Sequence, residues 1–355
     1  MKIGLIGLPS VGKSTLFKLL TNTKNELGKY GAKETNIGMA KVPDRRIDFL
    51  SKMYNPKKTT YAQIEFIDIG GVIPNQGAGK FLEEVRECDA IVHVVRAFTN
   101  GEIPHIYPEI NPLKDLETVD SEILFSDLEL IDKRLERIKA AKKLKPEQAD
   151  EAELLKRIYL HLENGEDIRQ FDLNEEEEKQ LRAYQFLTEK PKLVVINLDE
   201  EQFKKRDYPF KRELLELCQE KEIQLVEVCG KIEAEMIELE KEDLELFMED
   251  LGLEETGVER LARAVYAHLG LISFITSGED EVKSWTIKRE TTARKAAGKI
   301  HSDIERGFIR AEVVKYEDLS RLGSMSKIKE QGLFRLEGKE YLVQDGDIIN
   351  FRFNV

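Results

Sequence analysis

The chain has 355 residues, 41% of them apolar and 35% charged, and a formal net charge of −13. This length allows two or three domains with ordinary globular cores, and the excess of acidic residues argues against coating of nucleic acid by the whole chain. The sequence has no apolar run of 18 residues, no secretory cleavage pattern and only three scattered cysteines. We therefore expect a cytoplasmic protein with buried thiols, and neither a membrane span, a disulfide framework nor a zinc site.

Short apolar runs alternate with helical stretches over most of the chain. Continuous runs of this kind suit strands that are buried on both faces of a parallel sheet, and the alternation predicts a doubly wound α/β fold. The five runs are Lys2–Ile6, Gln63–Ile67, Ala90–Val95, Leu193–Ile196 and Ile223–Val228.

Residues 121–190 interrupt this alternation. Leucine and isoleucine recur there at alternating spacings of four and three residues, which is the period of a coiled-coil seam, and a charged break separates them from a second helical pattern. The sequence predicts two helices in an antiparallel hairpin, inserted between two strands of the sheet. Two interpretations stay open: an arm that binds a partner, and a plain helical decoration. The apolar positions are Leu124, Leu128, Ile131, Leu135 and Ile138, followed by Leu155, Ile158 and Leu162.

The last part of the chain differs in composition from the rest. Residues 273–355 carry 15 Lys and Arg against 14 Asp and Glu, whereas the remaining residues carry 40 against 54. The final run alternates Ile349, Phe351 and Phe353 with polar residues, which predicts a half-exposed strand. We predict three parts: a nucleotide-binding domain at 1–120 and 191–272, the helical insertion at 121–190, and a small α+β domain at 273–355.

Residues 7–14 read GLPSVGKS and match the phosphate-binding pattern G-x-x-x-x-G-K-[ST]. The motif follows an apolar run and precedes a good helix, so its amides and the helix N-terminus can cradle a polyphosphate. Lys13 is placed to reach the β- and γ-phosphates, Ser14 to ligate Mg²⁺ and Thr15 to contact the α-phosphate. The alternative is a glycine turn with a solvated lysine. The predicted binding residues of this loop are Ser10, Val11, Gly12, Lys13, Ser14 and Thr15.

A second phosphate element is the D-x-x-G sequence Asp68–Gly71, which follows the run QIEFI. Such an aspartate holds the water shell of Mg²⁺, and the amide of Gly71 can meet the γ-phosphate. Alone the pattern often marks a turn, but its place at a strand end, about fifty residues after the phosphate loop, favours a nucleotide switch.

The run KLVVI ends in Asn197-Leu198-Asp199-Glu200, where GTPases of this fold carry N-K-x-D. There the aspartate binds two N–H groups of guanine that adenine lacks. Leucine in place of lysine, and the longer Glu200 in place of aspartate, weaken the case for GTP. The base-site residues are predicted to be Asn197, Leu198 and Glu200, with a turn-capping role for Asn197 as the alternative.

Taken together, these motifs resemble the YchF family of Obg-like ATPases over nearly the whole chain. The resemblance implies a G domain interrupted by a coiled-coil arm, a C-terminal TGS domain of β-grasp fold, a preference for ATP over GTP, slow hydrolysis, Mg²⁺ and association with the ribosome (the large subunit or the 70S particle). It is carried by GLPSVGKST, VPDRRIDFL, RECDAIVHVVRAF, NLDE, CGKIEAEM, WTIKRETTARKAAGKIHSDIERGFIRAEVV and LVQDGDIINFRFNV.

The chain departs from the family pattern at three places. Ser10 stands where the family usually has the asparagine that helps to hold K⁺ in related enzymes, which puts K⁺ stimulation in doubt. Ala32 stands where a Mg²⁺-ligating threonine is usual, and Thr35, three residues later, is a candidate to replace it. The loop after Asp68 is several residues shorter than usual.

Many GTPases carry a glutamine directly after D-x-x-G, and this glutamine orients the attacking water. The corresponding residue in this chain is Val72. Valine can neither orient water nor transfer a proton. The resemblance assigns the catalytic role to His105, in the loop NGEIPHIY, and the alternative is an ordinary surface histidine. His93 lies in a strand run and is predicted to pack in the core.

The C-terminal part contains a set of basic residues that, with the family's link to the ribosome, suggests contacts to RNA phosphates. The interspersed acids leave a mixed solvated surface as the alternative. The basic residues are Lys283, Lys288, Arg289, Arg294, Lys295, Lys299, Arg306 and Arg310.

Three functions stay open: an ATPase that controls partner binding, an ATP-gated binding protein with incidental hydrolysis, and a conventional GTPase. A nicotinamide-binding fold is disfavoured because G-x-G-x-x-G is absent from the first turn.

Overall fold

The structure is a computed structural model that describes residues 1–22, 36–74, 80–141 and 145–354. Contacts divide the chain into two units, of which the first comprises Met1–Gly38 and Glu65–Val258, and the second Met39–Ile64 and Glu259–Val355. No helix in these described ranges is long and apolar enough to cross a membrane.

Strands and helices alternate in the first part of the chain, and strands dominate its end. The strands are β1 (Lys2–Ile6), β2 (Asn36–Lys41), β3 (Lys58–Thr60), β4 (Gln63–Asp68), β5 (Ala90–Arg96), β6 (Lys192–Asn197), β7 (Gln224–Val228), β8 (Leu271–Ser277), β9 (Glu281–Lys288), β10 (Phe308–Lys315), β11 (Arg335–Glu337) and β12 (Asp347–Phe353). The helices are α1 (Lys13–Thr21), α2 (Arg45–Tyr54), α3 (Lys80–Arg86), α4 (Pro112–Lys139), α5 (Pro146–Glu163), α6 (Glu175–Leu181), α7 (Glu200–Lys205), α8 (Lys211–Glu220), α9 (Gly230–Glu238), α10 (Lys241–Asp250), α11 (Gly257–His268), α12 (Ala293–Ile300), α13 (Ser302–Arg306), α14 (Tyr316–Leu322) and α15 (Met325–Glu330), with a short 3-10 helix at Ile168–Gln170.

The first sheet has the strand order β2-β4-β1-β5-β6-β7. Strand β1 lies between β4 and β5, and its pairings with both are parallel, as are those of β5 with β6 and of β6 with β7. The predicted doubly wound parallel sheet is confirmed, because every one of the five predicted apolar runs forms a strand within one residue of its expected ends. The carboxyl ends of these parallel strands lie at one edge of the sheet, where α/β proteins bind their ligands.

Two helices, α4 and α5, form the predicted helical insertion and pack against each other. All of the expected apolar positions except Ile138 lie in one cluster, in which Ile131 and Leu135 of α4 are buried with Leu155, Ile158 and Leu162 of α5. The boundaries differ from the prediction in two respects. Helix α4 continues upstream without a break at residue 120, and α5 begins at Pro146, inside the predicted charged break, since proline is favoured in the first turn of a helix.

The second unit contains a six-stranded mixed sheet of order β11-β10-β12-β8-β9-β3. Its central strands β12 and β8 are parallel, whereas β8–β9 and β10–β12 are antiparallel. Residues of α12 pack in an apolar cluster with Phe274, Val313 and Ile349, and residues of α2, α14 and α15 pack in a second cluster with Ile275 and Ile348. This small α+β module agrees with the expected character of the C-terminal region, and its assignment as a TGS domain stays a prediction.

The contact division does not follow the predicted domain limits. Residues 39–64, which the sequence placed in the nucleotide-binding domain, group with the C-terminal part because Ile47 and Leu50 of α2 are buried against Ile275 and Val282. Residues 259–272 group there as well. The three-part division at 1–120 with 191–272, 121–190 and 273–355 therefore stays a prediction.

Two predictions about buried side chains are confirmed. His93 on β5 is fully buried, and burial lowers the pKa of its imidazole to about 3, so the ring is neutral. The three cysteines, Cys88, Cys218 and Cys229, are free and buried. These four residues therefore lie in the buried interior of the first unit.

Candidate nucleotide-binding site

The loop between β1 and α1 depends on two glycines. Gly7 has a φ of 145°, and a Cβ there would lie 2.2 Å from the carbonyl oxygen of Val94. Gly12 has a φ of 95° and caps α1, and a Cβ there would lie 2.3 Å from Nδ2 of Asn197. Both positions therefore exclude any side chain, and the loop backbone closes tightly over the N-terminus of α1.

Lys13 is the first residue of α1, and its side chain turns back into the loop. Its Nζ donates hydrogen bonds to the carbonyl oxygens of Gly7 (3.1 Å) and Leu8 (2.9 Å). Burial lowers the pKa of this ammonium group to about 8, and the negative charge of Asp68 partly offsets that effect. A buried cation whose hydrogen bonds, among the described residues, go to backbone carbonyls is poised to exchange them for phosphate oxygens.

The D-x-x-G segment lies directly against this loop. Asp68 ends β4 beside Leu5 of β1, and a Cβ on Gly71 would lie 3.1 Å from Pro9. The amide of Val72 donates to the carbonyl oxygen of Gly7 at 3.0 Å, and the Val72 side chain is buried. The structure thus brings the two predicted phosphate elements together, and it keeps Val72 away from solvent.

The residues predicted to hold Mg²⁺ fit that ion. Ser14 in the first turn of α1 supplies a hydroxyl, and the buried Asp68 supplies a carboxylate at the neighbouring strand end. Mg²⁺ prefers such hard oxygen ligands, and it takes its remaining ligands from phosphates and water rather than from a protein cage. The part of the chain that the structure describes contains no group of three or more histidine, cysteine or acidic residues that could hold a metal.

The Asn197 side chain connects the phosphate loop to the N-terminus of α9 through hydrogen bonds. Its Nδ2 donates to the carbonyl oxygen of Val11 (3.0 Å), and its Oδ1 accepts from the amide of Gly230 (3.1 Å). Asn197 is thus more than the cap of a turn, because its buried amide group joins segments that follow three different strands. The Val11 side chain is buried, so this residue offers only its backbone to a ligand.

The other two predicted base-site residues differ in what they offer a ligand. The Leu198 side chain is buried in the apolar core beside β6, and its amide donates to the carbonyl oxygen of Val228. Glu200 begins α7, and its carboxylate accepts a hydrogen bond from Nζ of Lys231 at 2.7 Å. The carboxylate that stands where GTPases read guanine is therefore already paired with a cation.

A cleft of about 680 Å³ lies among these segments. Eight predicted site residues line it: Ser10, Gly12, Lys13, Ser14, Thr15, Asn197, Leu198 and Glu200. Sequence reasoning missed eight further lining residues: Phe98, Thr99, Asn100, Ile103, Asp199, Gly230, Lys231 and Ala234. These residues could have been predicted from their positions after the parallel strands β5, β6 and β7, because ligands bind at that edge of the sheet in this class of fold.

His105 is not among the residues that line this cleft. Its side chain is 5% exposed, its Nε2 lies 2.9 Å from Oδ2 of Asp115, and its Nδ1 accepts a hydrogen bond from the amide of Tyr107 at 3.2 Å. Burial raises the pKa of the Asp115 carboxyl, and the nearby His105 opposes that rise. The His105 side chain thus packs against Asp115, and its catalytic role stays a prediction that requires the ring to leave Asp115.

The comparisons with known proteins agree on one family. A family model described as "50S ribosome-binding GTPase" matches residues 2–126, and the YchF-GTPase_C model, described as a protein of unknown function, matches residues 271–354. The "Ribosome-binding ATPase YchF" of Bacillus subtilis (strain 168) is 42% identical, with 99% of each chain covered. The protein of the same name from Escherichia coli O157:H7 is 39% identical, with 100% of this chain and 99% of the relative covered.

The chain belongs to the YchF family. A solved structure of the Schizosaccharomyces pombe YchF GTPase superposes with a TM-score of 0.86 at 29% identity, and the match covers 99% of this chain and 97% of that one. The P-loop GTPase fold expected from the sequence is thereby confirmed. Because the YchF match spans the whole chain, it includes the helical insertion and the C-terminal module as well as the nucleotide cleft.

Two of the three departures from the YchF pattern fall wholly or partly outside the described residues. Ala32 and Thr35 lie outside the described residues, and so do residues 75–79 of the loop after Asp68. Ser10 is described and has a φ of 61°, a left-handed conformation that asparagine adopts more readily than serine. The backbone at this position therefore has a conformation that asparagine also favours, whereas the serine side chain carries no amide group.

Proposed function

We propose that this chain is a Mg²⁺-dependent nucleoside-triphosphatase of the cytoplasm that prefers ATP over GTP, hydrolyses it slowly, and binds the ribosome under control of its nucleotide state. The observation that carries the proposal is the phosphate loop, in which the buried ammonium of Lys13 is held by two backbone carbonyls next to Asp68. Curated relatives with full-length similarity are named ribosome-binding ATPases.

The preference for ATP is supported by the base end of the cleft. Guanine recognition by a carboxylate requires that the carboxylate be free to accept two N–H groups. Here Glu200 is paired with Lys231, and the side chain at the usual lysine position, Leu198, is buried in the core. Neither residue offers the contacts by which GTPases select guanine.

Slow hydrolysis is supported by the absence of a free water-orienting group among the described residues around the D-x-x-G segment. Val72 is buried and apolar, and His105 is engaged with Asp115 and Tyr107. Lys13 is proposed to stabilise charge on the transferred phosphoryl group, and His105 to orient water after leaving Asp115. Ser14 and Asp68 would hold Mg²⁺, which supplies charge neutralisation between the phosphates.

Ribosome binding is supported by the names of the relatives and by the family model for residues 2–126. Contact with RNA through the C-terminal module, a proposed TGS domain, is supported by its eight basic residues, of which all but Lys283 are exposed. The ammonium of Lys283 lies 3.7 Å above the ring of Trp285. Interspersed acids, such as Asp303 beside Arg306, leave a mixed solvated surface as the competing interpretation.

Two other functions keep specific support. An ATP-gated ribosome-binding regulator with incidental hydrolysis is favoured by the buried Val72 and by the engaged His105. A conventional GTPase is favoured by the description of the fission yeast structure as a GTPase. Comparison of ATP and GTP hydrolysis rates, with and without ribosomes, separates these functions from the proposed one.

A competition titration in the presence of Mg²⁺ tests the proposal. A fluorescent ATP analogue is bound to the full chain and displaced by unlabelled ATP or GTP, and the same titration is repeated after addition of a chelator. We expect ATP to displace the analogue at lower concentration than GTP, and the chelator to weaken both. Equal or tighter binding of GTP would reject the ATP preference, and absence of binding to any triphosphate would reject the nucleotide site itself.

A further inference from the structure

Arg96 is a buried arginine whose charge has no direct acidic partner within the described ranges. It is the last residue of β5 and is 1% exposed. Its Nε donates to the carbonyl oxygen of Phe98 (3.1 Å), and its Nη2 donates to those of Ile103 (3.1 Å) and Asn100 (3.4 Å). A charge removed from water is costly unless its donors are satisfied, and here backbone oxygens of one short segment satisfy three of them.

The same guanidinium reaches the phosphate loop. Its Nη1 donates to the carbonyl oxygen of Ser10 at 3.4 Å, and its Cζ lies 4.2 Å from the centre of the Phe98 ring. Arg96 thus joins two walls of the cleft, because Ser10 lines it from the phosphate loop, and Phe98 and Ile103 line it from the segment after β5.

Ala97 and the segment 98–103 also form hydrogen bonds with Asn197 and Asp199, at the end of β6 and directly after it. The amides of Ala97 and Phe98 donate to the carbonyl oxygen of Asn197 (2.9 and 3.0 Å). The amide and hydroxyl of Thr99 donate to Oδ2 of Asp199 (3.2 and 3.0 Å). The segment therefore forms a wall at the base end of the cleft, and Arg96 supports the side of that wall that faces the core.

We propose that Arg96 is a positioning residue for nucleotide binding, which holds the segment 98–103 in its binding conformation before the nucleotide arrives. A loop that must be ordered during binding reduces affinity, whereas a preformed wall avoids that cost. The planar guanidinium presents five donors in fixed directions, and a lysine ammonium cannot reach the same four carbonyls from one point. The inference rests on the proposed nucleotide-binding function and assigns a residue to its base end.

The test compares Arg96→Lys with Arg86→Lys in the full chain. Arg86 is also a buried arginine of the first unit, 6% exposed, but it binds Asp127 and Ser126 and does not line the cleft. Calorimetric titrations with Mg²⁺ use two ligands, ATP and inorganic tripolyphosphate, of which the second has no base. We expect Arg96→Lys to weaken ATP binding about tenfold and tripolyphosphate binding less than threefold. Arg86→Lys should leave both affinities within twofold of those of the parent protein.

Hydrogen exchange provides a second readout that a general loss of stability would not reproduce. Without nucleotide, the amides of residues 98–103 should exchange faster in Arg96→Lys than in the parent protein and in Arg86→Lys. If Arg96→Lys does not fold, Thr99→Val tests the same wall from its other side, and we expect an ATP-selective loss of about threefold.

The outcomes separate the inference from the proposed function. A folded Arg96→Lys variant that binds ATP as tightly as the parent protein overturns the inference, and so do equal losses for ATP and tripolyphosphate. An unchanged ATP affinity in Thr99→Val overturns it when the lysine variant does not fold. A parent protein that binds neither ligand instead rejects the proposed function.

Discussion

Replacement of Lys13 by methionine tests whether the phosphate loop is costly to the fold when no nucleotide is bound. The side chain is 7% exposed, and burial lowers the pKa of its ammonium from 10.5 to about 8. Each pKa unit corresponds to 1.36 kcal/mol, so burial of the charged form costs about 3 kcal/mol at pH 7. Methionine has a similar length and carries no charge, so it removes this cost.

The substitution also removes two hydrogen bonds, and their loss does not exceed the gain. The carbonyl oxygen of Gly7 keeps a partner, since it also accepts from the amide of Val72, whereas that of Leu8 loses the ammonium. One unsatisfied carbonyl costs about 1 to 3 kcal/mol. The nucleotide-free Lys13→Met variant should therefore be at least as stable as the parent protein at pH 7, with a gain of up to about 2 kcal/mol.

The stability difference should depend on pH, with a sign that follows from the lowered pKa. Between about pH 8 and 10.5 the unfolded chain keeps the Lys13 proton that the folded chain has lost, so the stability of the parent protein rises with pH. From pH 7 to pH 9 this contribution amounts to about 1.3 kcal/mol. The advantage of the methionine variant should shrink by that amount over this interval.

The assay is urea unfolding followed by far-UV circular dichroism, after removal of bound nucleotide, at pH 7 and pH 9. Lys18→Met, at a half-buried lysine of the same helix, is the matched control and should not gain stability. Excess ATP, at about 100 times its Kd, should stabilise the parent protein by about 2.7 kcal/mol and leave Lys13→Met unchanged. The reasoning is refuted if nucleotide-free Lys13→Met is less stable than the parent protein at pH 7, or if it still binds ATP at micromolar concentration.

Three further predictions concern hydrolysis, base selection and ribosome binding. His105→Ala should lower the single-turnover rate of ATP hydrolysis by about a hundredfold with little change in ATP affinity, whereas an unchanged rate would remove His105 from the mechanism. Lys231→Ala frees the carboxylate of Glu200, and since both side chains are largely exposed the pair is worth only about 0.2 to 1 kcal/mol. We therefore expect GTP affinity relative to ATP to rise by about 1.5-fold to fivefold in a competition titration, and no rise would refute our interpretation of Glu200. Cosedimentation with ribosomes should weaken steeply from 50 to 200 mM salt if the basic residues of the C-terminal module contact RNA phosphates, and a flat response would reject that contact.

The sequence by itself was sufficient for the phosphate loop and the strands that carry it. The run Lys2–Ile6 forms a strand over those same residues, and the glycines of the motif adopt the positive φ angles that the loop requires. The apolar spacing also predicted the helical insertion, although the structure starts α5 earlier, at Pro146. These features depend on residues that are neighbours in the chain, so local patterns are enough to reveal them.

Only the tertiary structure decided which distant residues meet. The segment 39–64 groups with the C-terminal unit because its apolar helix face is buried there, and no local pattern states which sheet an amphipathic helix will cover. The same holds for the pairing of Glu200 with Lys231, for His105 against Asp115, and for the contacts of Arg96 with Ser10 and Ile103. Periodicity along the chain determines which face of an element is apolar, whereas the partner of a polar side chain depends on how strand ends and loops from separate parts of the chain are brought to one edge of the sheet.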